Sequence, residues 1–265
     1  MFKILFPTIL LHGFGGSITD LSNLKSSLQD NGVEVYSVEV GNGALDSILM
    51  NINRQCSVLS ENIKNLNIDG KINIIGISQG GLLARCYVEK YSHIVNPVHS
   101  LITYGSPHMG IYVDWLNLHY LEYWKNPYEY DEYLRTNDFL VYLNNEKKHD
   151  NYELYKNNML TLDNFAMIWS SIDLVISPLQ SAKFEFYNVT EGYLDLPMPL
   201  NIVKLKKSAT FKRDKIGLKT LNKLNRLYIE RYDCRHEDFK KPECYMNKNY
   251  SERGVSLIKF TLGLL

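Results

Sequence analysis

Six short apolar runs set the first constraint on this chain: "PTILLHG", "VEVYSVEV", "INIIGIS", "HSLITYGSP", "FAMIWSSID" and "LYIERYD". Several are apolar almost without interruption, as expected of strands covered on both faces in a parallel sheet. Helical patterns lie between them. "DLSNLKSSLQDNG" opens at Asp20, a candidate N-cap, and closes at Gly32, a candidate stop. "SILMNINRQCSVLSENIKNLN" carries apolar residues at helical spacing. Strands and helices in alternation predict an open, mostly parallel sheet with right-handed crossovers and helices on both faces. With 265 residues and 45% hydrophobic content, the chain can bury one large core and is read as a single domain spanning 1–265.

The stretch of about 111–160 breaks this rhythm by crowding together Trp115, Tyr120, Tyr123, Trp124, Tyr128, Tyr130, Tyr133 and Tyr142. It is read as a helical cap inserted between two core strands, with its inner side lining an apolar groove.

Lysine plus arginine equals aspartate plus glutamate at 29 each, so no global field favours nucleic acid or an anionic membrane. No apolar run approaches the roughly 18 residues of a transmembrane helix. The start, "MFKILFPTILLHGFGG", contains a proline, lacks a small-residue cleavage site and runs into a glycine-rich turn, so it reads as a strand; no signal peptide is visible. Two acceptor sequons begin at Asn188 and Asn249. The four cysteines show no zinc-type spacing, so no metal site is expected. Cys234 and Cys244 either close a small loop or remain free thiols, and Cys86 is expected to pack as a small core residue.

The third apolar run ends in Gly76-Ile77-Ser78-Gln79-Gly80, followed by the helical pattern "GLLARCYVEKY". A glycine on each side of a serine, between a strand and a helix, is the pattern of a nucleophile elbow. The turn is too tight for side chains at the flanking positions, and it exposes the hydroxyl at the carboxyl edge of the sheet. A serine needs a base to take its proton and a carboxylate to orient that base. In an α/β-hydrolase fold the order along the chain is serine, acid, histidine. His12, His93, His99, His108, His119 and His149 lie too early or in the wrong part of such a fold, leaving His236, just past the last strand. Asp173 follows a strand end and is the expected acid. Asp163 falls ahead of that strand, Asp195 in an irregular stretch, and Asp233 only three residues from His236. The backbone amides of Gln79 and of Phe14, in the loop "ILLHGFGG", are the expected oxyanion donors. His12 is assigned to orienting that loop, and His108 to a structural hydrogen bond at the site floor.

Together these segments resemble the palmitoyl-protein thioesterase family of α/β-hydrolases. "LLHGFGG" resembles its oxyanion loop, with Gly16 where the family usually has an acidic residue. "IIGISQGGLLAR" resembles its nucleophile segment, "LEYWKNPYEYDEYLRTNDFLVYLNNE" its cap, "YKNNMLTLDNFAMIWSSIDLVISPLQSAKFEFY" the region of its acid, and "DKIGLKTLNKLNRLYIERYDCRHEDF" its last segment. The resemblance covers most of the chain. It implies a serine hydrolase without a cofactor that removes long fatty acyl groups from thioesters, on an acylated protein, a peptide or acyl-CoA, in the lysosome or secretory pathway. The competing readings are a lipase or carboxylesterase acting on oxyesters and a non-catalytic binding protein of hydrolase fold.

Overall fold

The computed structural model describes residues 5–116, 118, 120–189 and 200–265. Each of the six apolar runs supplies one strand of a single sheet: β1 (Thr8–Leu11), β2 (Val35–Ser37), β3 (Ile72–Ile77), β4 (Val98–Tyr104), β5 (Asn164–Trp169) and, last in the chain, β8 (Leu227–Arg231). β6 (Phe186–Tyr187) and β7 (Ile202–Val203) form a separate antiparallel pair. The sheet order is β2-β1-β3-β4-β5-β8, and every neighbouring pair is parallel. This is the α/β-hydrolase fold. The order reverses between β1 and β3, the place where open parallel sheets present a crevice at their carboxyl edge.

The near-continuous apolarity of the strands divides by alternation into two cores. Ile9, Leu11, Ile74, Leu101, Phe165 and Met167 face one side, and Leu10, Ile75, Ile102, Tyr104, Ala166 and Ile168 face the other. The second face is covered by α1 (Ser22–Gln29), through Leu24 and Leu28, and by the C-terminal helix Leu257–Leu264, through Leu257, Ile258 and Leu264. The first face is covered by α3 (Ile52–Asn65) and α4 (Gln79–Tyr91), with α3 presenting Ile52, Cys56, Leu59 and Ile63 inward at helical spacing, whereas the short α2 (Ala44–Leu49) just ahead of α3 adds no apolar side chain to that core.

Local chemistry sets the helix boundaries. The pattern beginning at Ser47 divides between α2 and α3, because Met50 is extended and Asn51 caps α3, its Oδ1 accepting from the Asn53 and Arg54 amides at 2.9 and 3.3 Å. Asp20 is not an N-cap: it lies inside a short 3-10 turn, Ile18–Leu21, and its Oδ2 accepts from the Ser17 amide at 3.1 Å. Gly32 does end the following helix region, with φ +79°.

Cys86 is buried in the core as expected, but not as a thiol. It is bonded to Cys56, which joins α3 to α4, and Cys234 is bonded to Cys244. The first pairing was not visible in spacing because it depends on two helices packing at a Cα–Cα distance of 6.3 Å across 30 residues of sequence.

Between β4 and β5 lie α5 (Tyr130–Thr136), α6 (Leu140–Leu143) and α7 (Tyr152–Leu160). Tyr112, Tyr123, Trp124 and Tyr133 bury into the core on the α4 side, whereas Trp115, Tyr120 and Tyr128 are exposed. Polar contacts hold this region to α4: Asn158 Nδ2 donates to Glu89 O at 2.8 Å, Arg85 to Asn144 Oδ1 at 2.8 Å, and Tyr123 Oη to Gln79 Oε1 at 3.1 Å. Asn249 of one sequon is exposed; the other runs outside the described residues at Thr190. Among the described residues no helix is long and apolar enough to cross a membrane.

Candidate active site

β3 delivers Ser78 at the carboxyl edge of the sheet, one residue before α4, with φ +55° and ψ −125°. A non-glycine residue adopts such a conformation only where its surroundings enforce it. They do so here by close approach: a Cβ on Gly76 would come 2.4 Å from Gly80 O, and a Cβ on Gly80 2.4 Å from His12 O and 2.6 Å from Leu11 O. The two glycines let α4 turn back against β1. The Ser78 amide still extends the ladder, donating to Tyr104 O at 2.8 Å. Gln79 opens α4, so its amide has no acceptor within the helix.

The loop after β1 lies against the serine, since a Cβ on Gly13 would stand 2.9 Å from Ser78 Cβ. His12 fixes this loop from beneath, with Nδ1 2.8 Å from Gly13 O and Nε2 on the Glu39 carboxylate. Phe14 follows, half-exposed at the mouth of the cavity.

His236 and Asp173 meet across 63 residues of sequence. His236 Nδ1 is 2.7 Å from Asp173 Oδ2, with Asp173 4% exposed. Asp173 Oδ1 accepts from the Val175 and Ile176 amides at 2.8 and 3.0 Å, fixing the carboxylate in its own turn. With Nδ1–H donated to the carboxylate, Nε2 is the nitrogen left with a lone pair. Beneath both lies Gly105, φ +55°, where a Cβ would stand 3.2 Å from His236 Nδ1 and 3.3 Å from Asp173 Oδ2. The need for a glycine here arises where three segments converge, since a Cβ would also stand 3.0 Å from Phe239 Cε2.

Ser78 and His236 line one cavity of about 150 Å³, together with His12, Gly13, Phe14 and, on one wall, Asp20 and Lys240. Lys240 Nζ is 3.0 Å from Asp20 Oδ1. Burial works against the Asp20 anion, but the Lys240 and Ser17 hydrogen bonds and the Lys240 charge outweigh it and hold the carboxyl below its ordinary range. None of the aromatic residues of 111–160 lines this cavity. A separate cavity of about 320 Å³, walled by Leu121, Trp124 and Tyr133 with Glu122, Glu129 and Glu132, belongs to that segment.

The remaining candidates lie elsewhere. Asp163 is at the amino edge of β5, bound to Lys71 Nζ at 2.6 Å and His99 Nδ1 at 2.8 Å. Asp233 accepts from the Ser171 amide and hydroxyl at 3.0 and 2.7 Å. Asp195 and His119 fall outside the described residues. His108 is not at the site floor: its Nε2 lies 2.9 Å from Thr103 Oγ1 and its ring stacks on Phe184 in the core. Burial, and secondly the charge of Arg85, push its pKa well down, so it is neutral.

A family model described as palmitoyl protein thioesterase matches residues 7–118 and 115–236. Palmitoyl-protein thioesterase 3 of Dictyostelium discoideum is 30% identical over 257 residues, covering 88% of this chain and 85% of its own. Lysosomal thioesterase PPT2 homolog of Drosophila melanogaster is 28% identical over 250 residues, 84% of this chain and 82% of its own. Among solved structures, an extracellular alpha/beta-hydrolase from a Paenibacillus species aligns with TM-score 0.53 at 10% identity, over 98% of this chain and 97% of its own. A lipase-esterase related protein from Clostridium acetobutylicum aligns with TM-score 0.52 at 12% identity, over 98% and 94%.

Proposed function

Since this chain belongs to the palmitoyl protein thioesterase family, and is thereby a hydrolase of thioesters or esters, we propose that it cleaves long-chain fatty acyl thioesters, with S-acylated cysteine of proteins or peptides, or acyl-CoA, as substrate. Ser78 Oγ attacks the thioester carbonyl while His236 Nε2 takes its proton. Asp173 holds the imidazole and stabilises the imidazolium that forms. The amides of Phe14 and Gln79 donate to the oxyanion. Collapse of the tetrahedral intermediate breaks the C–S bond, His236 returns its proton to the leaving thiolate, and an acyl-Ser78 ester remains. Water, deprotonated by His236, then releases the fatty acid and restores the serine. Residues 111–160 form the cap of a single hydrolase domain. The lysosome or secretory pathway is the proposed location, supported by relatives named lysosomal thioesterases and by two disulfides.

One observation carries this reading: the 2.7 Å contact of His236 with a buried, doubly amide-bonded Asp173, opening onto the cavity that contains the strained Ser78. Labelling with a fluorophosphonate should modify Ser78 and be lost in Ser78→Ala, and palmitoyl-CoA should be hydrolysed faster than an oxyester of equal chain length. The second reading, a short-chain oxyesterase, draws on the cavity volume of about 150 Å³, which is below the roughly 300–1,000 Å³ that encloses a drug-sized ligand. Faster turnover of the oxyester would favour it.

A further inference from the structure

α2 inverts the usual rule for a surface helix. Leu45, Ile48 and Leu49 are exposed, and the only fully buried residue in it is polar, Ser47. A buried hydroxyl at that place requires an explanation from its partners. Ser47 Oγ donates to Ala44 O at 2.8 Å, which fixes the hydroxyl hydrogen and directs a lone pair outward. That lone pair accepts from the Gly15 amide at 2.8 Å, the residue next to Phe14. The Ser47 carbonyl in turn accepts from Gln79 Nε2 at 2.9 Å, and Gln79 Nε2 also donates to Gln55 Oε1 at 3.0 Å. Tyr123 Oη completes the set by donating to Gln79 Oε1 at 3.1 Å. Gln55, Gln79 and Tyr123 are buried.

The two amides assigned to the oxyanion come from separate loops, after β1 and after β3. The hydrogen-bonded path Gly15, Ser47, Gln79 is a strap between them: one end pins the neighbour of Phe14, and the other holds the side chain of the residue whose own amide is the second donor. α2 is itself anchored, since Asp46 Oδ2 accepts from the Asn42 amide at 2.6 Å and Gln55 Nε2 donates to Met50 O at 2.7 Å.

We propose that Ser47 is a positioning residue for acyl transfer, setting the distance between the Phe14 and Gln79 amides so that both address the tetrahedral oxyanion. It touches neither substrate nor reacting atoms. The inference rests on the acyl-transfer reading given above. Oxyanion donors act on charge that develops only in the transition state, so a loosened strap lowers kcat and leaves ground-state binding alone.

The test compares wild type with Ser47→Ala on a soluble medium-chain acyl thioester. The expected result is a kcat lower by about tenfold to a hundredfold, less than the roughly 10²–10³ lost with a whole donor, and KM within about twofold. A trifluoromethyl ketone of the same acyl chain, which forms a tetrahedral adduct on Ser78, should bind more weakly by the same factor, and the unreactive thioether analogue equally well. Ser47→Thr, which keeps the hydroxyl, should restore both kcat and adduct affinity. Unchanged kcat and adduct affinity in Ser47→Ala overturns the proposal, as does a matching loss of thioether affinity. Should Ser47→Ala not fold, Ser47→Cys retains the volume with a weak acceptor and must show the same partition between adduct and thioether. A wild-type protein that neither turns over thioesters or esters nor forms the Ser78 adduct would remove the acyl-transfer reading, and the strap with it.

Discussion

Asp173 and Gly105 bracket what a single residue contributes at this site. Asp173→Asn retains the shape and the two backbone hydrogen bonds but presents the wrong group to His236 Nδ1. Turnover should fall by about 10⁴, as expected when the tautomer is mis-set, while the melting temperature changes little; an active Asp173→Asn enzyme would mean that another carboxylate does this work. Gly105→Ala attacks the same pair from below. Its Cβ would stand 3.0 Å from Phe239 Cε2 and 3.2 Å from His236 Nδ1, on a backbone at φ +55°. The strain should cost about 1–3 kcal/mol of stability, read by urea denaturation, and should lower kcat by displacing the imidazole. Sequence order alone led to Ser78 and His236, because an elbow needs flanking glycines and a base must follow the last strand. Ser47 and Lys240 gave no such sign. Their roles come from neighbours far away in the chain, and neither spacing nor composition encodes those.

Elements were legible in proportion to how local their causes are. All six strands were evident as apolar runs, and the carboxyl-edge positions of Ser78 and Asp173 followed from them. The division of α2 from α3 depends on one extended residue, Met50, and the Cys56–Cys86 bond on two helices meeting face to face. That bond ties α3 to α4, the helix that begins directly after Ser78. Replacing both cysteines with alanine should cost about 2–4 kcal/mol of stability, measurable by urea denaturation; an unchanged midpoint would show that packing alone holds the two helices. On the inner face of α4, Glu89 is fully buried 3.5 Å from Arg85 Nε. Burial, outweighing the opposing charges of Arg85 and Lys90, raises its pKa from 4.5 to about 8. Because the folded state holds this proton more tightly than the unfolded chain, its contribution to stability is complete below about pH 4.5. It is lost as pH rises through about 8. Urea midpoints taken across that window should decline in the wild type and decline less in Glu89→Gln.

In the whole molecule, a parallel sheet places every strand-to-helix loop at one edge. Phe14, Leu45, Ile48, Leu49, Ile172, Leu174 and Val175, all on loops or helices that follow strand ends at that edge, are exposed. The expectation that the aromatic segment lines the site is not met at the Ser78 cavity, whose walls come from the β1 loop, β3 and the turn after His236. The acyl-chain dependence should therefore reflect partial rather than full enclosure. Across acyl-CoA substrates from acetyl to palmitoyl, each kept below its micelle concentration, kcat/KM should rise with length by less than the roughly 0.8 kcal/mol per methylene of full burial. A flat series would detach the exposed apolar residues from substrate binding. The opposite edge of the sheet has a different use. Asp69, just ahead of β3, and Asn225, just ahead of β8, are exposed there, on the side where Lys71 and His99 hold Asp163. A biotin carried at Asp69 or Asn225 would anchor the protein to a sensor surface from its blind side, leaving the mouth of the Ser78 cavity turned toward the solution.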